Sequence, residues 1–193
     1  MSSSKGKMDI HPIRNSQLAS TPLHSACIGL GSNADPVANL FAAAQRLASA
    51  CTVTGLSQVW ESPADGCEAP NYLNAAILVE TCLAESELVA LSKQIEQELG
   101  RQRPLPSPAA VTIDIDLLVY DSEVRRSSLW SRAYCTVPVA ELLPELQCSE
   151  TGESLALVAS RLAAGTQIIL HSRLLDTIKR SSVTVSHVNR EER

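Results

Sequence analysis

Two periodicities alternate along the chain, and together they predict its elements. Residues 25–30 form a short apolar run that reads as a strand and ends in Gly31-Ser32-Asn33. Leu40, Ala43, Ala44 and Leu47 then recur at helical spacing, with Asp35 or Asn33 placed to cap that helix. Residues 51–60 predict a second strand, with Val53 and Val59 among its β-formers. Residues 61–71 carry Pro63, Gly66 and Pro70 and predict a loop. Residues 73–82 predict a third strand. A helix over 84–99 follows, with Leu88, Leu91, Ile95 and Leu99 along one face and Gly100 as its stop. Pro104, Pro106 and Pro108 impose an extended loop before a last strong strand at 112–120.

The order strand-helix-strand-strand-helix-strand predicts an α+β, ferredoxin-like core: an antiparallel sheet with two helices on one face and the other face open to a ligand. Beyond Tyr120 the pattern weakens. A helical turn near Pro138 within 137–143, a helix over 155–164 and a short strand over 166–170 are expected as C-terminal additions. Residues 1–23 and 181–193 are polar and aperiodic, so they read as flexible tails around one domain at 24–180.

The strand at 112–120 holds the chemistry. Alternation puts Thr112, Asp114 and Asp116 on one face and Ile113, Ile115, Leu117 and Val119 on the other. The two carboxylates lie about 6.5–7 Å apart along the strand, a separation that one or two hard cations can bridge. Left without positive charge, two such acids would cost several kcal/mol to bury.

Composition narrows the rest. Hydrophobic residues make up 45% of the 193 positions but aromatics only 3%, so small aliphatic side chains do the packing. A net charge of −5 gives no general attraction to nucleic acid or to an anionic membrane, so an anionic substrate needs local cations or a metal. No apolar run approaches the roughly 20 residues that cross a bilayer, and the start lacks the apolar stretch of a secretory signal. Six cysteines without a CxxC pair argue against a disulfide framework or a zinc cluster and for reduced thiols in the cytoplasm. His11, His24, His171 and His187 lack metal-ligand spacing, and Trp60 and Trp130 read as packing residues.

Taken in order, Ile28-Gly29-Leu30-Gly31-Ser32-Asn33, Ser62-Pro63, Asn71-Tyr72-Leu73-Asn74-Ala75-Ala76, Gly100-Arg101-Gln102-Arg103, Thr112-Ile113-Asp114-Ile115-Asp116, Val137-Pro138 and Glu141-Leu142-Leu143-Pro144-Glu145 resemble one family. It is the 6-hydroxymethyl-7,8-dihydropterin pyrophosphokinase family of folate biosynthesis, and the resemblance spans residues 26–145. It implies the same ferredoxin-like fold and an enzyme that moves pyrophosphate from ATP to a pterin hydroxyl, releasing AMP. It further implies two Mg²⁺ ions on Asp114 and Asp116. Arg101 and Arg103 become catalytic phosphate contacts, Arg132 another phosphate contact, and Glu96 an acid near the nucleotide. Ser62, Pro63, Tyr72, Asn74 and Tyr134 line the pterin pocket. The partners implied are ATP and the pterin alone, with the chain a monomer.

Two stretches depart from the family pattern. Pro108-Ala109-Ala110-Val111 stands where the family has Arg-Trp-Gly-Pro-Arg, and the loop is shorter. Val124-Arg125-Arg126-Ser127 stands near where the family has a Pro-His step. These departures raise an alternative: a binding protein of the same fold that has lost turnover and serves as a sensor or partner.

Overall fold

A computed structural model describes residues 22–64, 69–101 and 110–171. Strand β1 (His24–Ser32) precedes helix α1 (Pro36–Ala50), and β2 (Thr52–Leu56), β3 (Trp60–Ser62) and β4 (Tyr72–Thr81) precede α2 (Glu85–Glu98). Next come β5 (Asp114–Tyr120), the two-residue β6 (Glu123–Val124) and a 3₁₀ turn (Ser127–Trp130). Helices α3 (Ala133–Ala140) and α4 (Leu155–Gly165) and the short β7 (Ile169–Leu170) complete the order. The sheet runs β6-β5-β1-β4-β3-β7, with β2 also paired to β4, and every pairing is antiparallel. Its centre is the ferredoxin-like arrangement expected from the element order. The expected tails lie almost wholly outside the described residues.

One sheet face is the main core. Ala26, Ile28 and Leu30 of β1, Ala75, Ile77 and Val79 of β4, and Ile115 and Leu117 of β5 meet Leu40, Ala43 and Leu47 of α1 and Leu88 and Ile95 of α2. Pro36 opens α1, where its missing N–H costs nothing. Asp35 stands at the cap in a left-handed conformation and makes no side-chain cap bond, so the expected capping is not what starts this helix. Asn33 is used elsewhere, as shown below. The Glu87 carboxylate accepts the Ala84 N–H at the start of α2, and Gly100, at φ +85°, ends that helix as expected.

The opposite face is partly covered by the C-terminal additions. Cys27, Ala76, Leu118 and Val119 pack there against Val139, Leu129 and Leu155. Val139 belongs to α3, which begins at Ala133, earlier than the turn expected at 137. Val119 was expected to share a face with Ile115 and Leu117. Instead Cys27 pairs with Val119 while Ile28 pairs with Leu117, so Leu118 is an extra residue in β5. That bulge reverses the alternation and sends Leu118 and Val119 to the same side.

The strand expected over 51–60 is broken in two. Three residues of this edge oppose two of β4 between the Leu56–Ile77 and Trp60–Asn74 pairs. Ser57 holds the break: its N–H donates to the Ala76 carbonyl and its hydroxyl accepts the Ala76 N–H. The Glu141 carboxylate then accepts the Gln58 N–H and the Trp60 indole N–H, each at 2.7 Å. Trp60 is a packing residue, as expected, against Ala133, Val137 and Ala159. Among the described residues no helix is long and apolar enough to cross a membrane.

Candidate active site

Where the added helices stop covering the second face, they leave a cavity of about 300 Å³. Its floor is β1, where Gly29 and Gly31 point at it with no side chain. Its walls carry Tyr72 and Asn74 from β4, Asp114 and Asp116 from β5, Ser62 and Pro63 from the end of β3, and Tyr134 and Cys135 from α3. The sheet register produces this gathering: Gly31 pairs with Asn74 on one side and Asp114 on the other, and Gly29 pairs with Asp116. Five sequence-predicted pterin residues and both aspartates thus border one space.

Asn74 is buried, and its Nδ2 donates to the Ser62 hydroxyl at 3.0 Å. Its Oδ1 lies over Gly31, 3.3 Å from where a Cβ would sit. The floor glycines had no assigned role in the sequence, although their two-residue spacing on a strand is the signal that would have found them. Gly31→Ala is expected to crowd the Asn74 amide, raising the KM for a planar heterocycle about tenfold while leaving nucleotide binding intact. Steady-state kinetics beside a nucleotide titration checks this.

Each aspartate meets an arginine. Arg101 Nη2 lies 3.1 Å from Asp114 Oδ1, and its Nη1 donates to the Ile113 carbonyl at 2.9 Å. This side chain is nine-tenths buried, yet its Nε has no hydrogen-bond partner among the described residues. Arg126 Nη2 lies 2.8 Å from Asp116 Oδ1. Burial pushes the Asp114 carboxyl above the usual carboxylate range, the Asp116 carboxylate adds to the rise, and the Arg101 guanidinium opposes it. A raised acid favours its protonated form in the fold, so the ionised form is a liability above the raised value, relieved as pH falls through it. Asp114→Asn should therefore leave the metal-free protein at least as stable as the parent near neutral pH. Any advantage should vanish below the ordinary value of 3.8, where both folded and unfolded carboxyls are protonated. Thermal melts in chelator across pH test that sign.

Glu96 is fully buried in α2, beneath β5 and away from the cavity walls. Its Oε1 accepts the Ile115 N–H at 2.8 Å and the Lys93 ammonium at 2.6 Å, while Lys93 also donates to the Ile115 carbonyl. On the outer edge of β5, the Ile115 N–H and carbonyl are thus met by side chains of α2 and the preceding Ile113 carbonyl by Arg101, while β6 pairs with Val119 and Tyr120. A geometry of this kind makes Glu96 a brace of the strand that carries the aspartates. Arg132 stands exposed at the start of α3 and lines no cavity described here. Arg103 and residues 104–109 lie outside the described residues.

Two further residues shape the site. Ser32 donates to the Thr112 carbonyl at 2.5 Å. Asn33 accepts the Val111 N–H through Oδ1 at 2.6 Å and donates to the Pro70 carbonyl at 3.2 Å. The Ser-Asn pair therefore ties together the segments that enter β4 and β5. Cys135, raised to about 11 chiefly by burial, is a neutral thiol in the wall.

A family model described as 7,8-dihydro-6-hydroxymethylpterin-pyrophosphokinase matches residues 27–144. A 2-amino-4-hydroxy-6-hydroxymethyldihydropteridine pyrophosphokinase of Synechocystis is 32% identical over 143 residues, 68% of this chain and 73% of that protein. One from Aquifex aeolicus is 32% identical over 130 residues, 62% of this chain and 80% of that protein. The crystal structure of Plasmodium falciparum HPPK-DHPS with pteroate has a TM-score of 0.61 at 10% identity, a likeness of fold. The match covers 74% of this chain but only 45% of that longer one.

Proposed function

The chain belongs to the 7,8-dihydro-6-hydroxymethylpterin-pyrophosphokinase family, and from that premise we propose how its own residues perform the family's reaction. It is an enzyme of folate synthesis that transfers pyrophosphate from ATP to the hydroxymethyl group of the dihydropterin. The hydroxyl oxygen attacks the β-phosphorus, the bond between the α and β phosphates breaks, and AMP leaves. The observation that carries the reading is the meeting of Asn74 and two tyrosines with Asp114 and Asp116 around one cavity.

In this reading the pterin lies on the glycine floor. Tyr72 and Tyr134 bound its faces, Asn74 meets its amide edge with a group that both donates and accepts, and Ser62 and Pro63 close the end. Asn74 is turned for this by its bond to Ser62.

The residues present suit Mg²⁺. Among the described residues no cluster of three or more His, Cys, Asp or Glu could cage a metal. Mg²⁺ needs none, because it binds through one or two carboxylates and completes its shell with water and phosphate oxygens. Asp114 and Asp116 would hold two such ions. When bound, they would neutralise phosphate charge as it shifts toward the leaving group. Arg101 contributes a buried Nε–H beside Asp114 that meets no acceptor among the described residues, a donor suited to a phosphate oxygen. Arg103 would add a second guanidinium and Arg132 a third. Glu96 serves the nucleotide indirectly, by fixing β5. We further take the chain to act as a monomeric cytoplasmic unit over 24–180.

The test is product identity. With ATP, Mg²⁺ and the hydroxymethyldihydropterin, chromatography should find AMP and pterin diphosphate in equal amounts, with no ADP. ADP as the nucleotide product, or no pterin-dependent AMP, would overturn the reading.

A further inference from the structure

Among the described residues, four cations border the strand that carries the aspartates, and three of them each meet two partners. Arg101 is nine-tenths buried between Ile113 and Asp114. Lys93 is shared by Glu96 and the Ile115 carbonyl. Arg125 is held by Glu85 at 2.9 Å and Glu123 at 2.6 Å. Arg126 differs: its side chain is 54% exposed, and Asp116 is the carboxylate it meets among the described residues. An exposed pair of this kind contributes little to stability, so little opposes its exchange for another partner.

The position of that pair gives the exchange a direction. Asp116 lines the main cavity and also a second one of about 110 Å³ on the outer edge of β5, whose wall includes Lys93, Leu117 and Arg126. The carboxylate that Arg126 now neutralises is one that would hold a divalent cation carrying a nucleotide. Phosphate oxygens carried there would arrive beside a guanidinium already within hydrogen-bond distance of the same carboxylate. The planar fork of arginine suits phosphate in two-point fashion. The need for such a donor is local, because the chain is net negative and 108–111 contains no arginine.

We propose that Arg126 is a two-position cation: it neutralises Asp116 in the metal-free enzyme and moves onto the nucleotide phosphates once metal occupies that carboxylate. This rests on the pyrophosphokinase reading and adds to it a binding residue at a position where the chain departs from the family pattern. The same side chain thus guards the metal site when empty and completes it when full.

The experiment compares the full chain with Arg126→Ala and Arg126→Gln, two readouts each. Calorimetry follows Mg²⁺ with α,β-methylene ATP, which cannot release AMP, and paramagnetic resonance follows Mn²⁺ alone. Both variants should bind the analogue about 10- to 100-fold more weakly, the loss of a hydrogen bond between charged groups. Their affinity for Mn²⁺ alone should hold or increase, because a competitor for Asp116 is gone. Analogue binding that is unchanged or tighter makes Arg126 a guard only and overturns the proposal. Parallel loss of both affinities makes it a brace for Asp116 and overturns it equally. AMP formation by the parent chain is measured on the same preparation. Its absence counts against pyrophosphoryl transfer, while the two affinities judge Arg126 separately.

Discussion

Asp116→Ala is expected to lower AMP formation by at least about 10³-fold, because in the proposed reading it removes a carboxylate that would hold metal against the phosphates, where the transition-state charge is greatest. The fold is expected to survive the change. Asp116 is partly exposed and its arginine partner more so, and an exposed pair contributes no more than about 1 kcal/mol. Thermal melts of the metal-free variant should therefore fall within about 4 °C of the parent. Rate assays and melts together separate a lost ligand from a damaged sheet. A variant that kept substantial Mg²⁺-dependent turnover would remove Asp116 from the site.

Glu96→Ala has the largest expected effect on stability. It strands the buried Ile115 N–H and leaves Lys93 without its carboxylate, while opening space under β5. An orphaned buried donor and a broken, partly buried ion pair together cost about 2–4 kcal/mol. For a chain of this size that corresponds to a fall in Tm of about 4–16 °C. Glu96→Gln keeps an oxygen for the Ile115 N–H and should recover much of the loss. The pair of variants also decides what Glu96 does. A brace loses Tm in step with turnover, whereas a direct nucleotide contact would lose affinity in Glu96→Gln at unchanged Tm.

Much of the site was legible because a strand's alternation reports its face. In β4, Tyr72 and Asn74 are followed on the same face by Ala76 and Leu78, so one strand passes from cavity wall to packed core. Asp114 and Asp116 on β5 read the same way, and the bulge at Leu118 marks where polar wall gives way to apolar contact. Residue-by-residue alternation could not foresee that bulge, since an inserted residue leaves no change of type: Leu117, Leu118 and Val119 are all apolar.

What was missed depends on contacts distant in sequence. Asn33 looked like a helix cap, because Asn before a helix usually is one. In the fold its amide bridges Val111 and Pro70, partners that local pattern cannot supply. The pairing of Arg126 with Asp116 likewise requires the turn after β5 to fold the chain back across the strand, through a β6 too short to register as a strand. The burial of Glu96 beneath β5 is likewise a tertiary fact, one that the resemblance placing it near the nucleotide does not carry.

The most direct test of the metal assignment is a crystal grown with Mn²⁺, α,β-methylene ATP and the hydroxymethyldihydropterin, measured at the manganese absorption edge. Anomalous density is expected between Asp114 and Asp116, in contact with both carboxylates and with phosphate oxygens, and the pterin over Gly29 and Gly31. Manganese bound to the phosphates alone, with Arg101 and Arg126 still on the two aspartates, would contradict that assignment.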